Sequence, residues 1–305
     1  MQTKDWEEYS EEEILVANIE KYNQEHIVKF YEDYEEPRYL YGEYDVIFGA
    51  VIKQLANKLG RPIKAVDLCG GAGKAAFVMK QCQPDCEVYL VDIADKMLEI
   101  ASNRARAHNI SGIHLVQSDA YSFLQSSEKY DLIVFSSAIH HFKDPVQLIS
   151  TAAQSLTEAG LIITIADPTV LIKSRRYRFF QFVLSLSQQR GTLLRNCLQR
   201  RSRPDQDEAA AAPPDFDLAE YQTYTGIDDH SLSASIRTLG LEPLVHLRYP
   251  AGEPLLTKIM PFLGLYWAFS MVITKAGAAL VGCAPEIKEE IRTHMPYRFH
   301  FIESA

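Results

Sequence analysis

Two neighbouring stretches constrain this chain most: residues 66–76, "VDLCGGAGKAA", and residues 88–98, "VYLVDIADKML". A short apolar run enters a glycine cluster, a helical pattern leaves it, and a second apolar run ends in Asp92. Parallel strands cannot be joined by a tight turn, so the helix between these runs must cross the sheet. Glycine lacks Cβ, which lets the backbone at the strand-to-helix turn come close to a bound group. An acid ending the next strand faces the same sheet edge and can accept hydrogen bonds from ribose hydroxyls. The pattern predicts an α/β protein that presents a nucleotide.

The rest of the chain supports that class. Apolar periodicity predicts helices at 11–34 and 44–59, the second stopped by Gly60 and Pro62. Strands follow at 65–68, 87–91, 113–117, 130–135 and 160–166. They alternate with helices at 74–81, 95–108 and 120–125, and with a helix opened by Asp144-Pro145 that runs to 157. The rhythm breaks over 168–221 and returns with a helix at 228–239. Strands at 242–249 and within 259–274 have no crossover helix between them, so they should pair antiparallel. A last helix is expected at 285–294. The expected units are a helical cap (1–60), a core (61–168), an inserted lid and linker (169–220), the remainder of the core sheet (221–275) and a tail helix (276–305).

Charge is unevenly spread. The net charge of −9 argues against a nucleic-acid partner. Residues 1–45 hold fourteen acids against four Lys or Arg, whereas 173–203 hold nine Lys or Arg and no acid. The five cysteines form no CxxC pattern, so free thiols in a reducing cytoplasm are expected, and no zinc set is completed. The acidic start is not expected to act as a signal peptide. The apolar run at 259–274 falls short of the ~20 residues that a bilayer span needs.

Read alone, 71–76 fits G-x-G-x-x-G/A, with Asp92 about twenty residues on, as in nicotinamide dinucleotide sites. On those residues Asp92 also reads as a helix N-terminal acid, and Met97 as plain core. Other features point elsewhere. Asp67 ends strand one, and an acid there suits a ligand that carries an ammonium group. Asp119, in "QSDAYSF", can accept from an adenine amino group or serve as a turn acid.

Taken together, "VDLCGGAG", "VDIADKML", "QSDAYSF", "DLIVFSSAIHHF" and "LTEAGLIITIADP" resemble class I S-adenosylmethionine-dependent methyltransferases. The likeness is nearest to the small-molecule branch that includes ubiquinone and menaquinone biosynthesis methyltransferases. It covers 65–168 well and 242–274 loosely. The resemblance implies a doubly wound, mostly parallel, seven-stranded Rossmann-like sheet with an antiparallel last strand. It also implies S-adenosylmethionine as cofactor and S-adenosylhomocysteine as product. Asp67, Gly70, Gly71 and Gly73 would surround the methionine and ribose portion. Asp92 would hold the ribose diol, with Ile93 and Met97 near the adenine. Asp119 and Ala120 would meet the adenine edge, and Ser136 and Ser137 would close the pocket. Many members carry glycine where Cys69 stands.

His140 and His141 follow strand four directly, where a histidine could take a proton from an acceptor or form the pocket wall. Methyl transfer needs no base when donor and acceptor are held in line. The basic stretch reads in three ways: a solvated helical face, a lid over the acceptor, or a peripheral membrane contact through 173–203. The expected activity is transfer of a methyl group to O, N or C of a small, partly apolar metabolite, such as a secondary metabolite or a quinone-like ring. The alternatives are an NAD-dependent dehydrogenase or a non-catalytic binding protein of the same fold. Nothing in the residues indicates an oligomeric state.

Overall fold

The computed structural model describes residues 6–34, 36–180, 182, 217–252 and 254–303. At its centre is an eight-stranded sheet in the order β3-β2-β1-β4-β5-β7-β6-β8. The strands are β1 (Lys64–Leu68), β2 (Glu87–Asp92), β3 (Ile113–Gln117), β4 (Tyr130–Ser136), β5 (Leu156–Pro168), β6 (Leu241–Tyr249), β7 (Ala268–Lys275) and β8 (His300–Phe301). The first five pair parallel in the order given. β7 runs antiparallel to β5 and β6. The expected seven strands become eight because β8 adds to the outer edge of β6 through Leu247–Phe301 and Arg248–His300. Two residues leave too short a pattern to read beforehand.

The helices are α1 (Glu11–Tyr22), α2 (Glu25–Asp33), α3 (Gly42–Leu59), α4 (Lys74–Cys82), α5 (Asp95–Ala107), α6 (Ala120–Leu124), α7 (Pro145–Gln154), α8 (Tyr221–Thr225), α9 (Asp229–Thr238), α10 (Pro254–Ile259) and α11 (Ala284–His294). Their ends follow local chemistry. Ser10 and Glu13 form a capping box on α1, and Gly60 ends α3 in the left-handed region at φ 62°. Asp144 caps α7 by accepting from the Gln147 amide, with Pro145 in the first turn.

Alternate residues of the strands supply two cores. Leu132 and Val134 of β4 face α3, α4 and α11, whereas Ile133 and Phe135 face α7 and α9. Each fully buried aliphatic side chain contributes roughly 1.5–3 kcal/mol.

Two expectations change. The single helix at 11–34 is broken at Asn23–Gln24. The break lets Tyr22, Ile27, Val28 and Tyr31 pack on Ala94, Met97 and Ile100, a patch that one straight rod would pass by. The 259–274 run is a strand only from Ala268; residues before it form α10 and a 3₁₀ turn (Met260–Leu263). The lid expected at 169–220 lies mostly outside the described residues. No described helix is long and apolar enough to cross a membrane.

Candidate active site

A cavity of about 1640 Å³ lies at the carboxyl edge of β1, β2, β4 and β5. Gly70, Gly71, Asp92, Ile93, Met97, Asp119, Ala120, Ser136, Ser137, His140 and His141 all line it. Asp67 and Gly73, expected around the methionine and ribose portion, stand behind the lining residues. Asp67 is fully buried, and its Oδ2 accepts the Ala76 amide at 3.0 Å, tying the end of β1 to α4. Burial, with a smaller push from Asp92, raises its carboxyl to about 7. Gly73 sits at φ 89° as the residue before α4.

The glycine loop has two demands. At Gly70 an added Cβ would lie 2.2 Å from Leu90 and 2.6 Å from the Asp67 carboxyl, so no side chain fits. At Gly71 the backbone is left-handed, φ 52°, and an added Cβ would meet nothing within 4 Å. That open position borders the cavity. Cys69 is also left-handed, at φ 57°, a conformation that costs a non-glycine residue roughly 1–2 kcal/mol. This explains why glycine suits the position. Burial holds the Cys69 thiol well above its ordinary range, so it stays protonated.

Asp92 is oriented by two amides. Its Oδ2 accepts from Gly71 at 2.8 Å and its Oδ1 from Ala94 at 2.9 Å. Burial raises its pKa, and these amides work against that rise. Each oxygen keeps lone pairs for a further donor. Asp119 caps α6, its Oδ1 accepting from the Ser122 amide at 2.9 Å. Ser136 Oγ lies 2.8 Å from the hydroxyl of Tyr44, a contact between β4 and α3.

The histidines form the polar centre. Their rings are 4.2 Å apart. His140 Nδ1 is 2.8 Å from Oδ1 of Asp167, a fully buried acid near the end of β5. His141 Nδ1 is 2.8 Å from the Ala219 carbonyl, which can only accept, so the proton sits on Nδ1 and Nε2 carries a lone pair. That Nε2 lies 3.5 Å from the Tyr22 hydroxyl, which donates to Glu220 at 3.1 Å. Burial lowers both histidines to about 4, so both are neutral at pH 7. Burial raises Asp167 to about 8. Burial would raise Glu220 too, but His141, Thr223 and Lys21 outweigh it and the carboxyl falls to about 2.

His140, His141 and Glu220 place ligand atoms within 4.8 Å of one another. Glu220 is already engaged: Oε1 meets Lys21 at 3.0 Å and Tyr22, and Oε2 accepts from Thr223. The arrangement is a hydrogen-bonded network that ties α1 to the histidine turn.

Several residues here were not anticipated. Asp167 had a signal, an acid in the otherwise apolar "LIITIADP". Lys21, Tyr22, Tyr44 and Glu220 had none, because each reaches the site from an element far away in sequence. Ile14, Asn18, Tyr22 and Tyr31 make the N-terminal helices a wall of the cavity.

Residues 60–203 match the methyltransferase-domain family. The demethylmenaquinone methyltransferase of Staphylococcus carnosus is 25% identical over 140 residues, 45% of this chain and 56% of that protein. The ubiquinone/menaquinone biosynthesis C-methyltransferase of Idiomarina loihiensis is 24% identical over 180 residues, 54% of this chain and 71% of that protein. The ribosomal RNA small subunit methyltransferase C of Aliivibrio fischeri is 28% identical over 166 residues, 51% of this chain and 47% of that protein. The chain thus spans only part of each relative's length. Among solved structures, the plantazolicin methyltransferase BpumL in complex with SAH superposes with a TM-score of 0.53 at 12% identity, covering 87% of this chain and 96% of that one.

Proposed function

We propose that this chain, which carries a methyltransferase domain of the class I fold, transfers a methyl group from S-adenosylmethionine to an O, N or C atom of a small, partly apolar metabolite. The observation that carries this reading is Asp92: an acid at the end of β2, held by the Gly71 and Ala94 amides, bordering a cavity shared with Asp119 and the histidines.

The residues fit such a cofactor. Gly71 leaves open space where a side chain would stand, and Gly70 lets the backbone turn under it. Asp92 would accept from the two ribose hydroxyls. Asp119 and Ala120 would meet the adenine edge, with Ile93 and Met97 against the ring. Ser136 and Ser137 would bound the methionine end. Bound there, the sulfonium supplies an activated methyl group and leaves as the neutral thioether S-adenosylhomocysteine.

The chain then has two tasks. The first is alignment: the cavity walls hold the acceptor in line and keep water out, which can lower the barrier by several kcal/mol. The second arises if the acceptor atom carries a proton. His141 Nε2 has a free lone pair, and its ring is held by the Ala219 carbonyl. His140 is backed by Asp167. Either can receive that proton as the new bond forms. The aromatic wall of Tyr22, Tyr31, Tyr44, Phe142 and Trp267 supports a partly apolar acceptor.

Calorimetry tests the cofactor reading. Two charge-assisted hydrogen bonds of roughly 1.5–3 kcal/mol each predict that Asp92→Ala weakens S-adenosylhomocysteine binding at least tenfold. Equal affinity in the variant would remove Asp92 from the site, and tight NADH binding in its place would select a dehydrogenase. Incubation with radiolabelled S-adenosylmethionine and a fractionated cell extract would identify the acceptor.

A further inference from the structure

One surface of this protein breaks the usual rule for a water-facing helix. Leu255, Ile259, Phe262 and Leu263 fall on one side of α10 and the 3₁₀ turn that continues it, at the spacing of a buried stripe. Yet they point outward: Leu255 is 68% exposed and Phe262 71%. The opposite side, with Thr257 and Met260, is the buried one. Phe179, 68% exposed, stands on the helical stretch at 175–180. The two stretches meet where the Arg176 guanidinium lies beside Gly264, 3.7 Å from where a Cβ would stand.

Cations lie on and between the two stretches. Lys173, Arg175, Arg176, Arg178, Lys258 and Arg298 are exposed, and Arg298 stacks over Phe262 at 4.5 Å. Neither 173–180 nor 254–263 contains an acid, in a chain whose net charge is −9. Exposed apolar side chains with cations beside them, and no acid in either stretch, are what a helix lying in the interface of an anionic bilayer presents. The face also adjoins the cavity, because Lys173, Tyr177, Arg178, Ala251 and Gly252 line its wall.

We propose that this face docks on an anionic phospholipid surface. Leu255, Ile259, Phe262, Leu263 and Phe179 enter the headgroup region, and Arg176, Lys258 and Arg298 beside them meet lipid phosphates. Docking there places the cavity wall beside the bilayer, so an acceptor dissolved in lipid can reach the site without crossing water. The docking itself does not depend on the methyl-transfer reading, and its test needs no cofactor.

The test is flotation of the full chain with phosphatidylcholine vesicles, with and without about one part in three phosphatidylglycerol. Binding is expected to the anionic vesicles and not to the neutral ones, and to weaken as salt rises. The double variant Leu255→Ser/Phe262→Ser should bind at least tenfold more weakly, as should Lys258→Glu/Arg298→Glu. Both should keep the S-adenosylhomocysteine affinity and the melting temperature of the parent, since all four side chains are exposed. Three results would overturn the proposal. One is no vesicle binding at physiological salt, which would leave the face to an acidic protein partner. Another is binding that both variants retain. The third is a parent that sediments as a dimer which the Leu255→Ser/Phe262→Ser variant dissociates, making the face a self-association surface.

Discussion

Two fully buried aspartates each hold a histidine, and they could hardly be more different. Asp229, at the start of α9, accepts from His246 at 2.7 Å and from Arg248 Nε and Nη2 at 2.8 and 2.6 Å. Burial would raise its carboxyl, but His246 and Arg248 outweigh it and bring the pKa to about 2. Asp167, at the end of β5, has its Oδ1 2.8 Å from His140 Nδ1; among the described residues no Lys or Arg pairs with it and its Oδ2 has no hydrogen-bond partner. There burial wins, and the carboxyl rises to about 8. Asp229 lies outside the cavity, whereas Asp167 backs a histidine that lines it. Charge compensation separates a fastening from a working group: a carboxyl matched by a guanidinium has nothing left to exchange, whereas an unmatched one keeps a proton near neutrality.

The largest expected effect follows from removing the matched acid. Asp229→Ala leaves the Arg248 guanidinium buried without its partner, which should cost about 3–5 kcal/mol in urea unfolding. Asp167→Asn keeps the shape and loses no ion pair, so by the same measurement it should cost only about 1 kcal/mol. Equal losses at the two sites would erase the distinction.

Turnover should sort the sites the other way. If one of the cavity histidines takes a proton from the acceptor, replacing that one by Phe should lower turnover roughly a hundredfold, about 2.7 kcal/mol of barrier. S-adenosylhomocysteine affinity should barely move. His246→Phe, corrected for the folded fraction, should leave turnover within about twofold, because that histidine is outside the cavity. Small changes for both His140→Phe and His141→Phe would mean that alignment alone carries the reaction.

The same contrast marks what was legible beforehand. Gly70, Gly71, Asp92, Asp119 and the His140–His141 pair sit at strand ends. There, period-two burial and turn chemistry leave a local signature, and all of them border the cavity. The cap side carries no such mark. Lys21 meets Asp217 and Glu220, and Tyr22 meets His141, across separations longer than a hundred residues. Pairings of that range follow from how elements pack, and no window of sequence contains both partners. Asp67 adds a related case. Its position at the end of β1 was readable, but whether its carboxyl turns toward the cavity or toward the Ala76 amide depends on α4 packing behind the loop.

The most specific test of the unmatched pair is a slope against pH. In the fold Asp167 keeps its proton up to about 8, against an ordinary value of 3.8, and His140 gains one only below about 4, against 6.5. Taken singly, the raised carboxyl favours the fold at low pH and loses that contribution as pH rises towards 8. The lowered histidine does the reverse, losing stability as pH falls below 6.5. Between about pH 4 and 6.5 the two cancel, because the folded pair and the unfolded pair each hold one proton. Between 6.5 and 8 only the folded pair holds it, so stability should fall by about 2 kcal/mol across that window. Asp167→Asn should abolish this alkaline loss and expose the His140 slope below pH 6.5. Asp229 works at the other end, its depressed pKa giving a contribution present above about 3.8 and lost as pH falls towards 2. Urea midpoints at pH 6.5 and 8 for the parent and Asp167→Asn decide the matter. A parent as stable at pH 8 as at 6.5 would mean that no proton is stored between Asp167 and His140. The two buried aspartates would then differ only in their partners and not in what they can do.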